Sequence, residues 1–233
     1  MNILITGASR GFGWSIAEKF AAAGYNIFLT ARTETVLEHA ALSLAQSFPS
    51  IKVYHKAADL SKKEEVVSLA EWFKEQKVPL DVLINNAGSF IPGSVHNEPE
   101  GALEKMLDTN LMSAYHLTRL LIPGMMERKQ GHIFNICSIA SLQAYANGGA
   151  YSISKFALLG FSKNLREEMK PHGIKVTAVL PGAAFTDSWK GSGVDPKRIM
   201  ESEDIAQMIL AASRLSPQAC VEEIVMRPLL GDL

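Results

Sequence analysis

The sequence predicts an α/β fold in which helices cover both faces of a single parallel sheet. Apolar runs of strand length alternate with segments of helical period from one end of the chain to the other. That alternation is typical of parallel strands joined by helical crossovers. A hydrophobic content of 47% with 20% charged residues supplies an ordinary globular core. The length of 233 residues suits one domain, which we expect to span residues 1–233.

Seven apolar runs are predicted to be strands, and six segments of helical period separate or follow them. The predicted strands are Asn2–Thr6, Asn26–Ala31, Ile51–Ala57, Leu80–Ile84, His132–Cys137, Lys175–Leu180 and Val221–Met226. The predicted helices are Gly13–Ala23, Thr35–Ser47, Lys62–Lys77, Glu100–Arg128, Ala150–Lys170 and Ser202–Arg214. Ser61 and Glu64 match a capping box before the third helix, and Pro171 with Gly173 terminates the fifth. The irregular segment 181–201 is long for a connection, which indicates a functional loop.

Charge and cysteine content narrow the class of protein. The formal net charge is −1 and there is no basic run, so nucleic acid and anionic membranes are not expected as partners. No apolar stretch approaches the roughly 20 residues of a membrane span. Two cysteines suggest no disulfide framework, and the six histidines have no ligand spacing, so no metal is expected. With the first strand beginning at Asn2, we expect a cytoplasmic protein.

A glycine-rich turn follows the first strand and opens the first helix. Its residues are Thr6-Gly7-Ala8-Ser9-Arg10-Gly11-Phe12-Gly13. Glycines permit positive φ and a close approach of the backbone to a ligand, and the helix N-terminus behind them favours a pyrophosphate. The spacing differs from the Gly-x-Gly-x-x-Gly of the common dinucleotide fingerprint. The same glycines would also occur in a strand–helix turn that binds no ligand and only needs their backbone conformation.

Tyr151 and Lys155 stand four residues apart on the predicted fifth helix, and Ser138 lies thirteen residues upstream, at the end of a strand. Residues four apart share one helix face, about 5–6 Å apart at Cβ. A neighbouring ammonium favours the phenolate form of a tyrosine, so this phenol can exchange a proton near neutral pH. The serine can hold a substrate oxygen beside it. Taken alone, such a pair is more often solvated helix surface.

Three further motifs occur in the order of a known family. The fourth strand ends in Asn85-Asn86-Ala87-Gly88, Asp59-Leu60 follows the third strand, and Asn110 lies in the fourth helix. Together with the glycine turn and the serine, tyrosine and lysine, these residues resemble the short-chain dehydrogenase/reductase superfamily, in its branch of roughly 250 residues. The resemblance covers essentially the whole chain. It implies a doubly wound, Rossmann-like sheet of seven strands in the order 3-2-1-4-5-6-7, which carries a nicotinamide cofactor across the C-terminal strand ends.

The resemblance implies a role for each matching residue. Tyr151 would be the acid/base, Ser138 would position the carbonyl, and Lys155 would bind the nicotinamide ribose and promote the phenolate. Asn110 would hold a water that continues the proton path. The implied cofactor-binding residues are Gly7, Ser9, Arg10, Gly11, Phe12 and Gly13 in the glycine turn, Asp59 and Leu60 near the adenine, Asn86, Ala87 and Gly88 beside the adenosine ribose, Tyr151 and Lys155, and Pro181, Gly182 and Thr186 at the nicotinamide amide.

The end of the second strand indicates which nicotinamide cofactor binds. Enzymes of this type that use NAD tend to place an aspartate there, whereas this strand ends in Ala31 and is followed by Arg32. Arg10 is a second cation on that side. Unit charges about 4 Å apart interact by roughly 4 kcal/mol at an effective dielectric of about 20, and the planar guanidinium suits phosphate geometry. We therefore expect the 2′-phosphate of NADP(H) to be preferred.

The sequence says less about the substrate pocket. We expect it to form from Phe90, from the residues after Ser138, and from the segment 181–201. A large ring in that segment could stack on a planar substrate, or it could only seal the segment against the rest of the protein. The residues predicted to contact substrate are Phe90, Gln143, Tyr145, Phe185, Trp189 and Asp232.

The last residues narrow the resemblance further. The strand Val221–Met226, followed by Arg227-Pro228 and Gly231-Asp232, is similar to bacterial sepiapterin-reductase-like members and unlike the glycine-rich ending of typical 3-oxoacyl-carrier-protein reductases. Such members can anchor a pterin with an aspartate near the C-terminus, for which Asp232 is the candidate, although a terminal carboxylate is usually only solvated. The resemblance thus implies NADPH-dependent reduction of a carbonyl, with a sepiapterin-like dicarbonyl as one substrate class.

Other hypotheses remain open. A 3-oxoacyl-carrier-protein reductase or a generic short-chain alcohol dehydrogenase would carry the same residues. The segments Phe90–Glu100 and Phe185–Glu201 hold three basic and five acidic residues, which disfavours an acidic carrier protein. A non-catalytic NADP-binding redox sensor would need no proton donor, so the presence of Tyr151 disfavours it. Members of the superfamily commonly pair two helices across a two-fold axis, which implies a homodimer or homotetramer.

Overall fold

A computed structural model describes residues 1–186 and 193–232 of the protein. Its main sheet consists of β1 (Asn2–Thr6), β2 (Asn26–Ala31), β3 (Val53–Ala57), β4 (Val82–Asn85), β5 (Gly131–Ile136), β6 (Ile174–Pro181) and, after two short strands given below, β9 (Glu223–Met226). The strand order is β3-β2-β1-β4-β5-β6-β9, and every neighbouring pair is parallel. The predicted seven-stranded order is therefore confirmed, since β9 is the seventh strand of this sheet.

Helices lie on both faces of the sheet, close to the predicted segments. They are α1 (Gly11–Ala22), α2 (Glu34–Ser47), α3 (Lys63–Glu75), α4 (Ala102–Leu107), α5 (Ser113–Arg128), α6 (Gly149–Met169) and α7 (Ser202–Ser213). The predicted fourth helix is divided, because a π-helical segment, Asp108–Met112, joins α4 to α5. α6 ends as predicted, with Pro171 in a 3₁₀ turn and Gly173 in the left-handed conformation at a φ of 69°.

The capping box predicted before α3 is wrong. The helix begins at Lys63, and its N-cap Lys62 forms no side-chain capping hydrogen bond. The hydroxyl and amide of Ser61 instead donate to Asp59 Oδ1, at 2.8 and 3.2 Å. The charged carboxylate of Asp59, two residues upstream, is a strong and nearby acceptor. Ser61 therefore bonds to Asp59 and does not cap the helix.

Three predicted strands begin two residues too early, at Ile51, Leu80 and Val221. In each case the backbone of the first predicted residue has a hydrogen bond that is not part of a strand ladder. The Ile51 amide donates to the Phe48 carbonyl at 3.3 Å, in a turn after α2. The Leu80 and Val221 carbonyls accept from side chains of Arg128 and Thr177, at 2.6 Å each.

Two apolar layers enclose the sheet. Leu4 and Ile5 are neighbours in β1, both with 0% exposure, and they belong to different layers because successive strand side chains point to opposite faces. The layer around Ile5 is closed by α1, α2 and α7, and the layer around Leu4 by α3, α5 and α6. The carboxyl ends of the strands are thereby held at one rigid edge, where doubly wound sheets bind their ligands.

The segment 181–201 has a short sheet of its own, which the sequence did not predict. β7 (Ala184–Phe185) pairs in parallel with β8 (Met200–Glu201), with Ala184 opposite Met200. β8 leads directly into α7. The two ends of the predicted functional loop are therefore joined before and after residues 187–192.

Candidate active site

Ser138 lies just beyond β5, at the C-terminal edge of the sheet. It is 8% exposed and is the N-cap of a 3₁₀ turn, Ile139–Ser141. Its Oγ accepts a hydrogen bond from the Ala140 amide at 3.1 Å, and its own amide donates to Ser141 Oγ at 3.3 Å. These bonds orient the serine while leaving its hydroxyl hydrogen able to donate to a bound molecule.

Tyr151 occupies the first turn of α6, and Lys155 follows one turn later. The Phe90 ring packs edge-on against the Tyr151 ring, with centroids 4.9 Å apart. Lys155 is 5% exposed, and its Nζ donates to the Ile136 carbonyl at 2.7 Å. The same Nζ lies 5.8 Å from the centroid of the Tyr151 ring. The ammonium is therefore tied to the end of β5 beside the phenol.

Asn110 is buried within the π-helical segment between α4 and α5. Its Nδ2 donates to the Ser89 carbonyl at 3.0 Å and to Ser154 Oγ at 2.9 Å, and its Oδ1 accepts from the Ser89 amide at 2.7 Å. A Cβ on Gly88 would lie 3.3 Å from Asn110 Oδ1 and 3.6 Å from Lys155 Nζ. Gly88 thus separates the asparagine from the lysine. The π turn, a feature that is frequent at functional sites, has no local signal in the sequence.

The glycine turn between β1 and α1 forms an open backbone cradle. Gly7 and Gly11 have φ angles of 63° and 56°, in the region that favours glycine. A Cβ on Gly13 would lie 2.3 Å from the Gly7 carbonyl oxygen, so a side chain there would push α1 away from the turn. The first turn of α1, which is described throughout, contains no acidic residue. Its N-terminus is therefore suited to an anion.

The non-glycine residues of this turn occupy different environments. Phe12 packs against the core layer around Ile5, whereas Arg10 is exposed and Ser9 is half-buried. Arg10 is the N-cap of α1 and has an extended backbone, with a φ of −166°. Phe12 therefore anchors the turn to the core, while Arg10 is at its surface.

Thr6 and Asn86 hold the glycine turn against the end of β4. Thr6 Oγ1 accepts from the amides of Asn86 and Ala87, at 2.9 and 2.8 Å. Asn86 Nδ2 donates to the carbonyls of Thr6 and Gly7, at 2.8 and 3.1 Å. Asn86 thus buttresses the turn. The role of Thr6 was missed because its partner Asn86 is 80 positions away in the sequence.

The ends of β2 and β3 bring together the residues predicted at the adenosine. Ala31 is buried at the end of β2, Arg32 after it is exposed, and Leu60 after β3 is buried. Burial opposes ionisation of Asp59, but hydrogen bonds from Ser61 and nearby cations, Arg32 among them, lower the pKa of its carboxyl group. Asp59 is therefore ionised and already hydrogen-bonded. The end of β2, at Ala31 and Arg32, carries no acidic residue that would repel a phosphate.

The residues predicted at the nicotinamide amide follow β6. Pro181 ends that strand opposite Met226 of β9, and the Gly182 amide donates to the Met226 carbonyl at 2.7 Å. Thr186 reaches back to the glycine turn, since its Cγ2 would be 3.5 Å from a Cβ on Gly11. The two parts of the predicted cofactor site, 175 positions apart in sequence by residue number (186 − 11), are thus adjacent.

The predicted substrate residues are only partly gathered. Phe90 contacts Tyr151 as described. Burial, and then the Tyr151 phenol, raise the pKa of Tyr145 to about 12. Gln143 is exposed just beyond the 3₁₀ turn. Phe185 instead lines an open groove of about 1050 Å³ between α1 and α7. Trp189 lies outside the described residues.

Asp232 has partners within the protein. Its carboxylate forms an ion pair with Arg227, and its Oδ1 would be 3.0 Å from a Cβ on Gly182. Arg198 donates to the carbonyls of Gly231, Leu230 and Asp232, at 3.0, 3.4 and 3.2 Å. The carboxylate is held beside the end of β6 rather than simply solvated: Arg227 binds its Oδ2, while its Oδ1 is buried with no hydrogen-bond partner among the described residues.

Within residues 1–186 and 193–232, no group of three or more His, Cys, Asp or Glu side chains is arranged to hold a metal ion. None of the helices in these ranges combines the length and apolarity needed to cross a bilayer.

Comparison with known proteins establishes the family. A family model described as short chain dehydrogenase matches residues 1–196. This chain belongs to the short-chain dehydrogenase/reductase family. An uncharacterized oxidoreductase of Staphylococcus saprophyticus is 30% identical over 225 residues, which covers 97% of this chain and 96% of the relative. A sepiapterin reductase of Chlorobaculum tepidum is 32% identical over 240 residues, which covers 99% and 97%.

Solved structures of short-chain dehydrogenases/reductases share the fold. A metagenomic short-chain oxidoreductase in complex with NADP has a TM-score of 0.85 and 30% identity, covering 98% of this chain and 96% of the other. The closed form of a serine dehydrogenase complexed with NADP+ has a TM-score of 0.90 and 27% identity, covering 100% and 97%. Both neighbours carry the form of the cofactor that Arg10 and Arg32 predict for this family member.

Proposed function

We propose that the protein is an NADP(H)-dependent oxidoreductase that reduces a carbonyl group to an alcohol, with Tyr151 as the proton donor. One observation carries the proposal. Lys155 Nζ lies 5.8 Å from the centroid of the Tyr151 ring and donates to the carbonyl of Ile136, two residues before Ser138, at the edge of the sheet where the glycine turn also lies. Family membership adds the reaction class, because the matching model is that of the short chain dehydrogenases.

The residues present fit a dinucleotide. The Gly7–Gly13 turn offers backbone amides and a helix N-terminus to the pyrophosphate, and a Cβ on Gly13 would occupy the space that lets α1 begin against this turn. Arg32 and Arg10 would bind the 2′-phosphate, Asp59 would lie on the adenine side, and Lys155 would bind the nicotinamide ribose. The bound cofactor supplies the hydride that reduces the carbonyl carbon.

The protein would supply the proton and the orientation. The Ser138 hydroxyl, whose oxygen already accepts from the Ala140 amide, donates to the carbonyl oxygen and holds it near Tyr151. The phenol then gives its proton to that oxygen as the hydride reaches carbon, so the product is a neutral alcohol. Lys155 stabilises the phenolate that remains. Asn110 lies on the other side of Gly88 from Lys155. It would hold the water through which the proton lost by Tyr151 is replaced.

A small planar dicarbonyl of the sepiapterin type is the substrate class we propose first. The relative named sepiapterin reductase is 32% identical over nearly the full length. The segments next to Tyr151 and after Ser138 carry apolar side chains suited to a flat molecule. Phe90 is 50%, Leu142 41% and Tyr145 46% exposed. Trp189, from the segment 181–201, would add a further ring. Asp232 could accept from a pterin through Oδ1, since Arg227 binds only its Oδ2.

A 3-oxoacyl-carrier-protein reductase remains the second candidate. The charge argument against it still holds, because two of the residues counted there bond only to neutral backbone groups and keep their charges. Asp195 accepts from the Lys197 amide, and Arg198 binds backbone carbonyls. A generic alcohol dehydrogenase or a non-catalytic redox sensor would share the cofactor residues. The sensor is disfavoured because it would not require a serine, a tyrosine and a lysine arranged around one point.

We further propose a cytoplasmic homodimer or homotetramer. Its interface would use α5 and α6, where Ile153 and Phe156 are 43% and 45% exposed. The two cysteines, Cys137 and Cys220, are unpaired thiols, which suits a reducing compartment. Light scattering of wild type and of a Phe156→Glu variant tests the interface, since a charge there would produce monomers.

The test of function is NADPH consumption with a panel of carbonyl compounds. Sepiapterin, diacetyl, an acetoacetyl thioester and a simple aromatic ketone are offered to wild type and to Tyr151→Phe. We expect turnover of sepiapterin or diacetyl by the wild type only. Efficient turnover of the thioester with no dicarbonyl activity would replace the substrate proposal, and NADPH binding without any turnover would support the sensor.

A further inference from the structure

A short segment from the connection between β4 and α4 is docked onto the start of α6. The Gly93 amide donates to the Asn147 carbonyl at 3.1 Å, and Gly93 forms an isolated parallel bridge with Gly148. Ser94 Oγ donates to Asn147 Oδ1 at 3.1 Å. The segment ends in Glu98, whose amide donates to the Ser94 carbonyl at 2.9 Å. This compact turn therefore faces the helix that carries Tyr151.

Glu98 supplies the helix cap that α6 lacks locally. The N-cap residue Gly148 has no side chain to accept a hydrogen bond, and the first turn of α6 has no acidic residue of its own. Glu98 Oε2 accepts from the amide of Ala150, the second residue of the helix, at 3.0 Å. A carboxylate at this end satisfies an otherwise unpaired N–H and interacts favourably with the helix dipole.

The docking leaves no room for side chains on either surface. A Cβ on Gly149 would lie 2.5 Å from Glu98 Oε2 and 2.5 Å from the Gly93 carbonyl oxygen. A Cβ on Gly93 would lie 2.8 Å from Glu98 Cβ. Since real side chains do not approach so closely, the two glycines are what permits the carboxylate to reach the helix.

We propose that Glu98 is a positioning residue for Tyr151. It bonds the residue immediately before the tyrosine, and the same β4–α4 connection places Phe90 against the tyrosine ring and Ser89 against Asn110. Fixing the first turn of α6 therefore fixes the phenol relative to Ser138 and the ring that covers it. The inference rests on the proposed function in so far as Tyr151 is the proton donor.

The test compares Glu98→Ala with Glu98→Gln, which keeps an acceptor at the same reach, and with Glu100→Ala, an exposed acid two residues away. We expect Glu98→Ala to lower kcat about tenfold, because small misplacements of reacting groups are costly, with the KM for NADPH changed less than about twofold. Glu98→Gln should recover most of kcat, and Glu100→Ala should match wild type. Gly149→Ala should reproduce Glu98→Ala, since its Cβ displaces the carboxylate.

A second measurement needs no substrate. In protein with ¹³C-labelled tyrosines, the ring signal of Tyr151, assigned by its loss in Tyr151→Phe, should shift or broaden in Glu98→Ala and stay in place in Glu98→Gln and Glu100→Ala. An unchanged signal in Glu98→Ala, or equal losses of kcat in the alanine and glutamine variants, would overturn the proposal. If wild type reduces no carbonyl, the proposed function fails, and the ring signal alone then decides the role of Glu98.

Discussion

The hydroxyl groups of Ser138 and Tyr151 donate to no residue that the structure describes, whereas the groups around them are bonded. Both hydrogens of the Asn110 amide are used within the protein, and Lys155 is anchored on the Ile136 carbonyl. Buried polar groups normally have hydrogen-bond partners, and the side chains around these two hydroxyls have theirs. A substrate carbonyl oxygen needs hydrogen-bond donors, and the hydroxyls of Ser138 and Tyr151 are still able to donate. The proposed chemistry therefore depends on these two hydroxyl groups, while Asn110 and Lys155 beside them are held by bonds within the protein.

Tyr151→Phe removes the proton donor and keeps the ring that packs against Phe90. General acid catalysis typically contributes about 10²–10⁴-fold, so kcat should fall by at least the lower of these factors. The affinity for NADPH, measured by fluorescence titration, should stay within a few-fold of wild type. Retention of a tenth of wild-type turnover would remove Tyr151 from this role.

Cofactor choice should follow the charge at the end of β2. Wild type is expected to prefer NADPH over NADH by at least about tenfold in kcat/KM, and Ala31→Asp with Arg32→Ile should reverse the preference, because a carboxylate repels the 2′-phosphate. Stopped-flow or steady-state rates with both cofactors check this. Equal use of both cofactors by the wild type would show that Arg10 and Arg32 do not contact the phosphate.

At the scale of elements, the site depends on where helices begin and how closely they approach the sheet. α1 begins against the glycine turn because Gly13 leaves room for the Gly7 carbonyl. α6 begins under Glu98, and the π-helical segment sets Asn110 facing Ser89 and Ser154. Each of these is a contact between one helix and a distant segment rather than a property of the helix itself.

Gly13→Ala tests the contact at α1. Alanine is intrinsically favoured over glycine in a helix by about 1 kcal/mol, but its Cβ would lie 2.3 Å from the Gly7 carbonyl oxygen and 2.7 Å from Asn86 Nδ2. The clash should prevail, and NADPH affinity should drop at least about tenfold, with a lower Tm.

Gly124→Ala is the matched control, because Gly124 lies within α5 and its nearest new contact would be Arg128 Nη1 at 3.8 Å. That variant should keep NADPH affinity and should be unchanged or slightly more stable. Normal cofactor binding by Gly13→Ala would show that the turn can open without harm to the site.

At the scale of the whole molecule, buried polar groups link the sheet to the helices on one face. Asn85 Nδ2 donates to Thr118 Oγ1 at 3.0 Å and to Asn135 Oδ1 at 2.8 Å, and Asn135 Nδ2 donates to Ser162 Oγ at 2.8 Å. β4, β5, α5 and α6 are thus joined beneath the site. Such bonds specify one arrangement of the layers, because any slip would leave these groups unpaired.

His132 couples the stability of this sheet to pH. Thr177 Oγ1 donates to the Val221 carbonyl and therefore accepts from His132 Nε2, at 2.6 and 2.7 Å, so Nε2 carries a hydrogen, while Nδ1 is buried with no hydrogen-bond partner among the described residues. Burial, assisted by Lys175, lowers the pKa of His132 from 6.5 to about 3.

Below pH 6.5 the unfolded chain binds a proton that the folded protein refuses, so stability should fall as pH decreases towards 3, by at most about 1.4 kcal/mol per pH unit. Urea unfolding across this range checks the slope. His132→Gln should be less stable near neutral pH and have a shallower slope. The same slope in both proteins would show that other groups cause the acid sensitivity.

The sequence by itself determined the fold class, the strand order through family resemblance, and the residues of the sheet edge. Apolar period and glycine spacing are local, so β1, β2 and the glycine turn could be predicted from their own residues. Ser138, Tyr151 and Lys155 could be proposed together because they lie within one strand–helix unit, and their roles stay a prediction. The end of β2 indicated NADP(H) for the same reason, since the sign of one local charge is visible in the sequence.

Only the tertiary structure decided the contacts between distant segments. The capping box at Ser61 failed because Asp59 competed for the same hydroxyl, and Asp232 proved to be paired with Arg227. The hydrogen bond between Thr6 and Asn86 joins residues 80 positions apart, and the bond between Glu98 and Ala150 joins residues 52 positions apart. No local pattern in the sequence specifies such pairs. Hydrogen-bond partners are chosen by distance in the folded chain, which sequence spacing does not measure.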